Sequence, residues 1–524
     1  MASHRVRARS PKGDPRSPAA IADVVPYLKD AAQTPGGFTP RVAAPQSEAE
    51  LAWALAEAPA VLAVGAQSSL TGGATPFGEW VLSLARMADL GGIQGRSIEV
   101  QAGVPLLVLE EHLRAHGLRY PPVPTFRGAF SGGVASTNAA GAATFKYGTT
   151  RDWVLGLTVV LASGDVLDLV RGDCLAHPDG FFEVELRGGE VRRVEVPTYV
   201  MPKVKKRSAG YFAAPGMDLV DLFVGSEGTL GVIASLRLGL LRDQPRATTF
   251  LQFASEALAI EATGRLREES ERTWSSKDRS GLDVASIELM DRRCLGLLRE
   301  DGTDVAHGVP LGEDVGAALL AELELEEGED PWATAERLVH VLRDLTPQES
   351  VLFAPPEDRR RALQLEALRE AVPMAVNHRI ARLQKTAPGV HKAASDMVVP
   401  FSRIAETMAF YREGFSKRGL DHALWGHVSD GNVHANVIPR SYEDVQAAEE
   451  AILEFGDFVA GLNGCPLSEH GVGRSPVKQE LLRRLYGAAG IDQMRHVKAA
   501  FDPLGKLAPG VLFPVKGTEP ARVG

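Results

Sequence analysis

Eleven consecutive residues constrain this chain more than any others: Gly426-His427-Val428-Ser429-Asp430-Gly431-Asn432-Val433-His434-Ala435-Asn436. Asp-Gly between two alternating runs signals a two-residue hairpin loop, because both central positions of that turn take positive φ. With the turn at Asp430-Gly431, Ser429 is expected opposite Asn432, Val428 opposite Val433, and His427 opposite His434. Alternation then sorts the side chains. Leu424, Gly426, Val428, Val433, Ala435 and Val437 share one face, all apolar or small. Trp425, His427, Ser429, Asn432, His434 and Asn436 share the other. Directly opposed Cβ atoms lie about 5 Å apart, so the two imidazoles can converge on one ion.

A histidine pair alone is more often a polar edge. Downstream, however, Ser468-Glu469-His470-Gly471-Val472-Gly473 adds a carboxylate and a third imidazole, flanked by glycines. Two histidines and a carboxylate with an open position form the ligand set of a catalytic divalent-metal site. Zn²⁺, Mn²⁺ and Fe²⁺ suit such a set about equally well.

The chain has 524 residues, too many for one core, so two or more domains are expected. A formal net charge of −10 argues against nucleic acid as a partner. No apolar run approaches the roughly 20 residues that span a bilayer, and no signal-peptide core follows the start. Cys174, Cys294 and Cys465 are far apart, with no Cys-x-x-Cys, which argues against an iron–sulfur cluster and a disulfide framework. The expected location is the cytoplasm, with peripheral membrane association as the variant of it.

Residues 1–37 carry Arg5, Arg7, Arg9, Lys12 and Arg16 among Pro, Ser and Ala, and are expected to form a disordered basic tail. A helix is predicted over 47–58, with Ser47 as N-cap and Glu50 completing a capping box. A buried strand over 61–64 then enters a loop holding Gly65, Ala66, Gln67, Ser68, Ser69 and Gly72. Loops of this kind can aim backbone N–H groups and hydroxyls at a diphosphate. A second small-residue segment contains Ser131, Gly132, Gly133, Ser136, Asn138 and Gly141. Strands over 154–162 and 166–170 make a hairpin. A third loop, with Gly225, Glu227, Gly228 and Gly231, lies between a strand-like run at 219–224 and an apolar run at 232–241. Neither a Walker A sequence nor Gly-x-Gly-x-x-Gly occurs, which disfavours a nucleoside triphosphate or a Rossmann cofactor. Each loop alone reads as a tight turn; three beside strands suggest one long, extended ligand held by backbone. Lys203, Lys205, Lys206 and Arg207 read as a solvated basic surface, or as a contact for an acidic electron-transfer partner.

From about 246 strands alternate with helices, which predicts an α+β second domain with an antiparallel sheet. The acidic run 322–330 reads as a solvated strand and turn, and 359–369 as an exposed helix closing before Pro373. Residues 501–510 read as a loop laid on the first domain. The expected organisation is a tail at 1–37, a first domain at 38–245, a second at 246–425, and a hairpin with a returning segment at 426–524.

Together, Gly225–Gly231 and the 132–141 segment resemble the PCMH-type flavin-binding domain of the vanillyl-alcohol oxidase superfamily. The hairpin motif with Glu-His-Gly-Val-Gly resembles its 2-hydroxy-acid branch, which includes D-lactate dehydrogenase, D-2-hydroxyglutarate dehydrogenase and the glycolate oxidase flavoprotein subunit. The resemblance spans about 42–513. It implies an α+β fold: a two-subdomain FAD-binding domain with an α+β cap domain. It implies FAD along the three loops, and a D-2-hydroxy acid oxidised by hydride transfer to flavin N5. Electrons would pass to an acceptor of unknown identity. By motif position His427, His434 and Glu469 match metal ligands, His470 the general base, Asn436 a polar contact to substrate, and Arg369 and Lys392 carboxylate-binding cations. The first loop has no histidine to tether flavin, so FAD is expected to be non-covalent. Pro373 stands where the hydroxyglutarate enzymes offer a hydroxyl, which argues against a dicarboxylate, and Ala508 stands where Asn usually precedes Pro-Gly. One alternative is the alkyl-dihydroxyacetone-phosphate synthase branch, which carries a histidine run where this chain has Ser468-Glu469-His470. The other is a non-catalytic FAD-binding subunit of a redox complex.

Overall fold

The structure is a computed structural model that describes residues 3–122, 124, 126–276, 281–309 and 311–515. Chain contacts divide it into two units. One comprises Met1–Gly141, Gly148–Arg242 and Leu467–Gly524; the other comprises Ala142–Tyr147 and Asp243–Pro466.

The first unit carries a four-stranded sheet in the order Ala19–Ile21, Val42–Ala44, Trp80–Ser83, Val61–Val64. Its last three strands are mutually parallel. A five-stranded antiparallel sheet runs Val166–Val170, Val154–Val160, Val232–Gly239, Ser97–Gln101, Leu90–Gln94. Helix Glu48–Glu57 adds Leu51 and Leu55 to a core with Val61, Leu82, Val160 and Val232. Ser47 caps that helix by accepting from Glu50 N, which satisfies one of the donors every helix start leaves open. The Glu50 carboxylate does not close a capping box; it accepts from Gln46 N and Arg16. At the far end of the sequence, Val61 N donates to Lys506 O and Ala508 N to Val61 O, laying 506–508 along the first loop's strand.

Two expectations for this unit are corrected. The basic tail is built in: Arg5–Arg7 is a strand parallel to Phe181–Glu185. Arg9 reaches Glu48 and Asp168, the latter 159 residues away. A basic segment read as disordered had its counter-charges far off in sequence. The run at 219–224 is a helix, Leu219–Phe223, capped by Asp218. All five residues are buried, so no hydrophobic period was there to separate helix from strand.

The second unit is built on a six-stranded antiparallel sheet. Its order is Val351–Ala354, Arg246–Phe253, Ala317–Glu324, Val284–Asp291, His422–His427, Asn432–Val437. The hairpin is therefore the edge of this sheet, and the boundary expected at 426 falls at 467. The segment Ala142–Tyr147 belongs here too. Lys146 Nζ lies 2.7 Å from both Asp283 oxygens and from Glu324 Oε2, and the Tyr147 hydroxyl also bonds Glu324. Glu324, expected in a solvated acidic run, is buried.

Helix Arg359–Leu383 runs straight through Pro373, where it was expected to stop, and it is not exposed throughout. Leu365, Leu368, Arg369, Val372, Val376 and Ile380 are buried at helical spacing. That packing carries the helix across a residue that has no N–H to offer the carbonyl of Arg369, four residues back. Among the described residues no helix is long and apolar enough to cross a membrane.

Candidate active site

The hairpin forms with a register two residues away from the expected one. His427 pairs with Asn432, Gly426 with Val433, Trp425 with His434 and Leu424 with Ala435. The loop is a short 3-10 turn, Val428–Asp430, closed by Gly431 at φ 83°. Only Gly431, not Asp430, takes positive φ, so the type I′ turn is not made. Gly431 is also needed for space: a methyl there would lie 2.0 Å from Val399 O. A shift of two preserves the face of every strand side chain. His427 and His434 thus become diagonal neighbours on one face, with ring centroids 5.7 Å apart and planes at 84°. Ser429 leaves that face; its Oγ accepts from Ile287 N.

Register brings further residues to the same face. Leu289 pairs with Gly426 and Met290 with Trp425, which sets Glu288 opposite His427. Glu288 Oε1 lies 2.9 Å from His427 Nδ1, and Oε2 accepts from Arg369 Nε at 3.1 Å. Burial alone would raise the Glu288 carboxyl, but Arg369 and His427 hold it well below the usual carboxylate range. On the outer side, bridges Ala394–Asn436 and Val398–Asn432 set Asp396 opposite His434. Ligand atoms of these two residues lie within 4.8 Å of each other. His434 and Asp396 thereby bring a nitrogen and an oxygen together, donors that suit a divalent cation, and His427 stands beside His434 on the same face.

The other expected residues of this unit surround that patch. Asn436 donates Nδ2 to His434 O, while its buried Oδ1 takes no hydrogen bond from the described residues. Arg369 gives Nε to Glu288, and its two Nη groups bond no described residue. Lys392 stands with Nζ 5.7 Å from the centre of the Trp425 ring. Burial and the nearby Arg369 push its ammonium down to about 8.

Glu469 and His470 lie in the first unit. His470 Nε2 is 3.4 Å from Glu469 Oε1, and Lys206 Nζ is 2.9 Å from Glu469 Oε2. Lys206, expected on a solvated basic surface, is fully buried; its neighbour Arg207 donates to Pro202 O and stacks on Phe212. Glu227, expected at the cofactor, spends its carboxylate on the N–H groups of Val472 and Gly473, each at 2.8 Å. Burial pushes that carboxyl up to about 7, against the pull of the two N–H bonds. Gly473 has φ 56°, and a methyl on it would lie 2.2 Å from Thr71 Oγ1. The Glu-His-Gly-Val-Gly segment is thus fastened between the third and first glycine loops. The residues that sequence reasoning missed are Glu288, Asp396 and Lys206. Strand register alone marks Glu288 and Asp396, and Lys206 is one of four cations in a basic run.

The three loops differ in what their residues do. Gln67, Asn138 and Glu227, one per loop, take positive φ without being glycine, a strained choice that clusters at binding sites. Ser69 Oγ accepts from Thr71 N and Gly73 N, Ser131 Oγ donates to Gln101 O, and Ser136 O accepts from Glu227 N. Gly65, Gly132 and Gly231 serve packing: a methyl would lie 3.2 Å from Phe130, 2.5 Å from Ala102 and 2.4 Å from Val159. Gly133 and Gly228 are different, since a methyl on either meets nothing within 4 Å. Bare backbone facing open space beside strained turns fits an extended ligand laid along the loops.

Family models match on both parts of the chain. The C-terminal domain of FAD-linked oxidases matches 246–512, and an FAD-binding domain matches 39–169. The chain belongs to the FAD-linked oxidases and is an FAD-linked oxidoreductase. It is 30% identical to glycolate oxidase subunit GlcD of Bacillus subtilis, over 86% of this chain and 83% of that one. It is 29% identical to a D-2-hydroxyglutarate dehydrogenase of Xanthomonas citri pv. viticola, over 89% and 86%. It is 26% identical to a D-lactate dehydrogenase of Anaerostipes hadrus, over 85% and 82%. Among solved structures, an alkyldihydroxyacetonephosphate synthase superposes with a TM-score of 0.54 at 14% identity, covering 90% of this chain and 75% of that one. At that identity the likeness is one of fold.

Proposed function

We propose that the protein oxidises a D-2-hydroxy acid of D-lactate type to the 2-oxo acid, with non-covalent FAD and a divalent cation of Zn²⁺, Mn²⁺ or Fe²⁺ type. The observation that carries this reading is a polar patch of the second unit: two imidazoles on the hairpin, an Asn436 Oδ1 that takes no hydrogen bond from the described residues, and, on helix Arg359–Leu383, an Arg369 whose two Nη groups bond no described residue. The named 2-hydroxy-acid enzymes among the relatives support the substrate class.

Bound FAD supplies the acceptor for the hydride leaving C2. Of the ligands matched by motif position, His427 and His434 lie in the second unit with Asp396 beside His434, and a cation held there would lower the pKa of the substrate hydroxyl. The rest is the work of side chains. Arg369 clamps the substrate carboxylate through its two Nη groups, a bidentate grip that Lys cannot make. Lys392 adds positive charge beside it. Asn436 offers a polar contact that orients the substrate. His470 takes the hydroxyl proton as general base, a role worth roughly 10²–10⁴-fold in rate. Electrons leave to a separate acceptor, in the cytoplasm or at a membrane surface.

A panel of D- and L-2-hydroxy acids with a dye acceptor, before and after chelation, tests the proposal. Turnover is expected for D-monocarboxylates, falling on chelation and returning with added metal. Turnover of L-isomers alone, or turnover indifferent to chelation, contradicts it.

A further inference from the structure

Glu288 belongs to no motif that marked this chain, yet its side chain contacts both Arg369 and His427. It sits in an interior strand of the six-stranded sheet, opposite His427 by register. A carboxylate there is costly unless compensated, and an apolar residue would have served the sheet equally well. The two oxygens are divided. Oε2 accepts from Arg369 Nε at 3.1 Å, and Oε1 lies 2.9 Å from His427 Nδ1.

We infer that Glu288 is a positioning residue that fixes His427 with Nε2 as its ligating nitrogen and turns the Arg369 fork toward the substrate. A neutral histidine carries one N–H, and the partner of one nitrogen decides which nitrogen keeps a lone pair. A carboxylate beside Nδ1 holds the proton there and leaves Nε2 to ligate, the arrangement by which outer carboxylates orient metal-bound histidines. The ring stands slightly out of line for that bond, so a small rotation accompanies it. Arg369 brings a positive charge close to a proposed cation site. The Glu288 carboxylate offsets that charge while occupying only Nε, which leaves Nη1 and Nη2 for a carboxylate.

The inference rests on the proposed metal role of His427 and His434, and its test separates the two. Glu288→Gln keeps the volume but removes the charge, and its amide NH₂ offered to Nδ1 would move the ring proton to Nε2. Metal affinity is read by chelator competition on the flavin-loaded protein, with flavin content and Tm measured alongside. Glu288→Gln is expected to bind metal roughly 10–100-fold more weakly, with flavin retained. Leu289→Ala, next along the same strand, opens a core cavity and should lower Tm without changing metal affinity. His434→Ala should lose the metal. Wild-type metal affinity in Glu288→Gln, while His434→Ala has lost it, overturns the inference and leaves the metal reading standing. Wild-type affinity in His434→Ala overturns the metal reading and the inference with it. If Glu288→Gln does not fold, Glu288→Asp decides: its shorter arm should weaken metal binding, and unchanged affinity overturns the role.

Discussion

At the scale of single residues, Lys392 makes the electrostatics of the patch measurable. Burial and Arg369 push its ammonium down to about 8, so its charge is lost within an accessible pH range. An anionic substrate favours the charged form, which dominates below about 8 and disappears above it. KM for a 2-hydroxy acid is therefore expected to rise as pH climbs through about 8, by roughly tenfold if the charge contributes about 1.4 kcal/mol. In Lys392→Met KM should start high and stay level over the same range. A wild-type KM that does not change there contradicts the assignment, as does a Lys392→Met profile that still bends. Lys392, Arg369, His427, His434 and Asn436 were nominated by motif position, and all five fall in the second unit. Glu288 and Asp396 were not: one lies in a strand and the other between two isolated bridges, and only pairing with a strand distant in sequence gives either a role. Lys206 was hidden in a basic run, where the default reading is solvation.

Among elements, the hairpin shows what a turn signal does and does not determine. Asp430-Gly431 correctly marks the reversal, but the positive φ is taken by Gly431 alone, and the loop lengthens. The side-chain faces survive because the error is two residues, a full period of the strand. Segment Ala142–Tyr147 carries a sharper test. Lys146 is the counter-charge for Asp283 and for Glu324, whose side chain is only 1% exposed. Lys146→Met removes the cation that faces this buried carboxylate and should cost about 3–5 kcal/mol in denaturant unfolding. Combining it with Glu324→Gln should recover most of the loss, a coupling read by a double-mutant cycle. Additive losses would show that the pair does not stabilise the unit. Sequence alone offered Lys146 no partner, since Asp283 and Glu324 lie in the other half of the chain.

For the whole molecule, one level of organisation was readable and another was not. The change from glycine-loop strands to alternating strands and helices near 246 announced two units, and the separation occurs at Arg242–Asp243. That 142–147 and the hairpin both belong to the second unit was not readable, because membership there is decided by sheet pairing and ion pairs. The first loop, Gly65-Ala66-Gln67-Ser68-Ser69, offers no histidine, and Ser69 is occupied with its own backbone. Acid precipitation should accordingly leave the flavin in the supernatant; a yellow pellet contradicts non-covalent binding. The central claim is that the hairpin face and His470 serve the oxidation of a D-2-hydroxy acid by bound flavin. Anaerobic mixing with D-lactate, followed by flavin absorbance, tests it most directly. The account predicts rapid bleaching in the wild-type protein and bleaching slowed roughly 10²–10⁴-fold in His470→Ala. A flavin that stays oxidised with every D-2-hydroxy acid offered, or one reduced equally fast without His470, would contradict it.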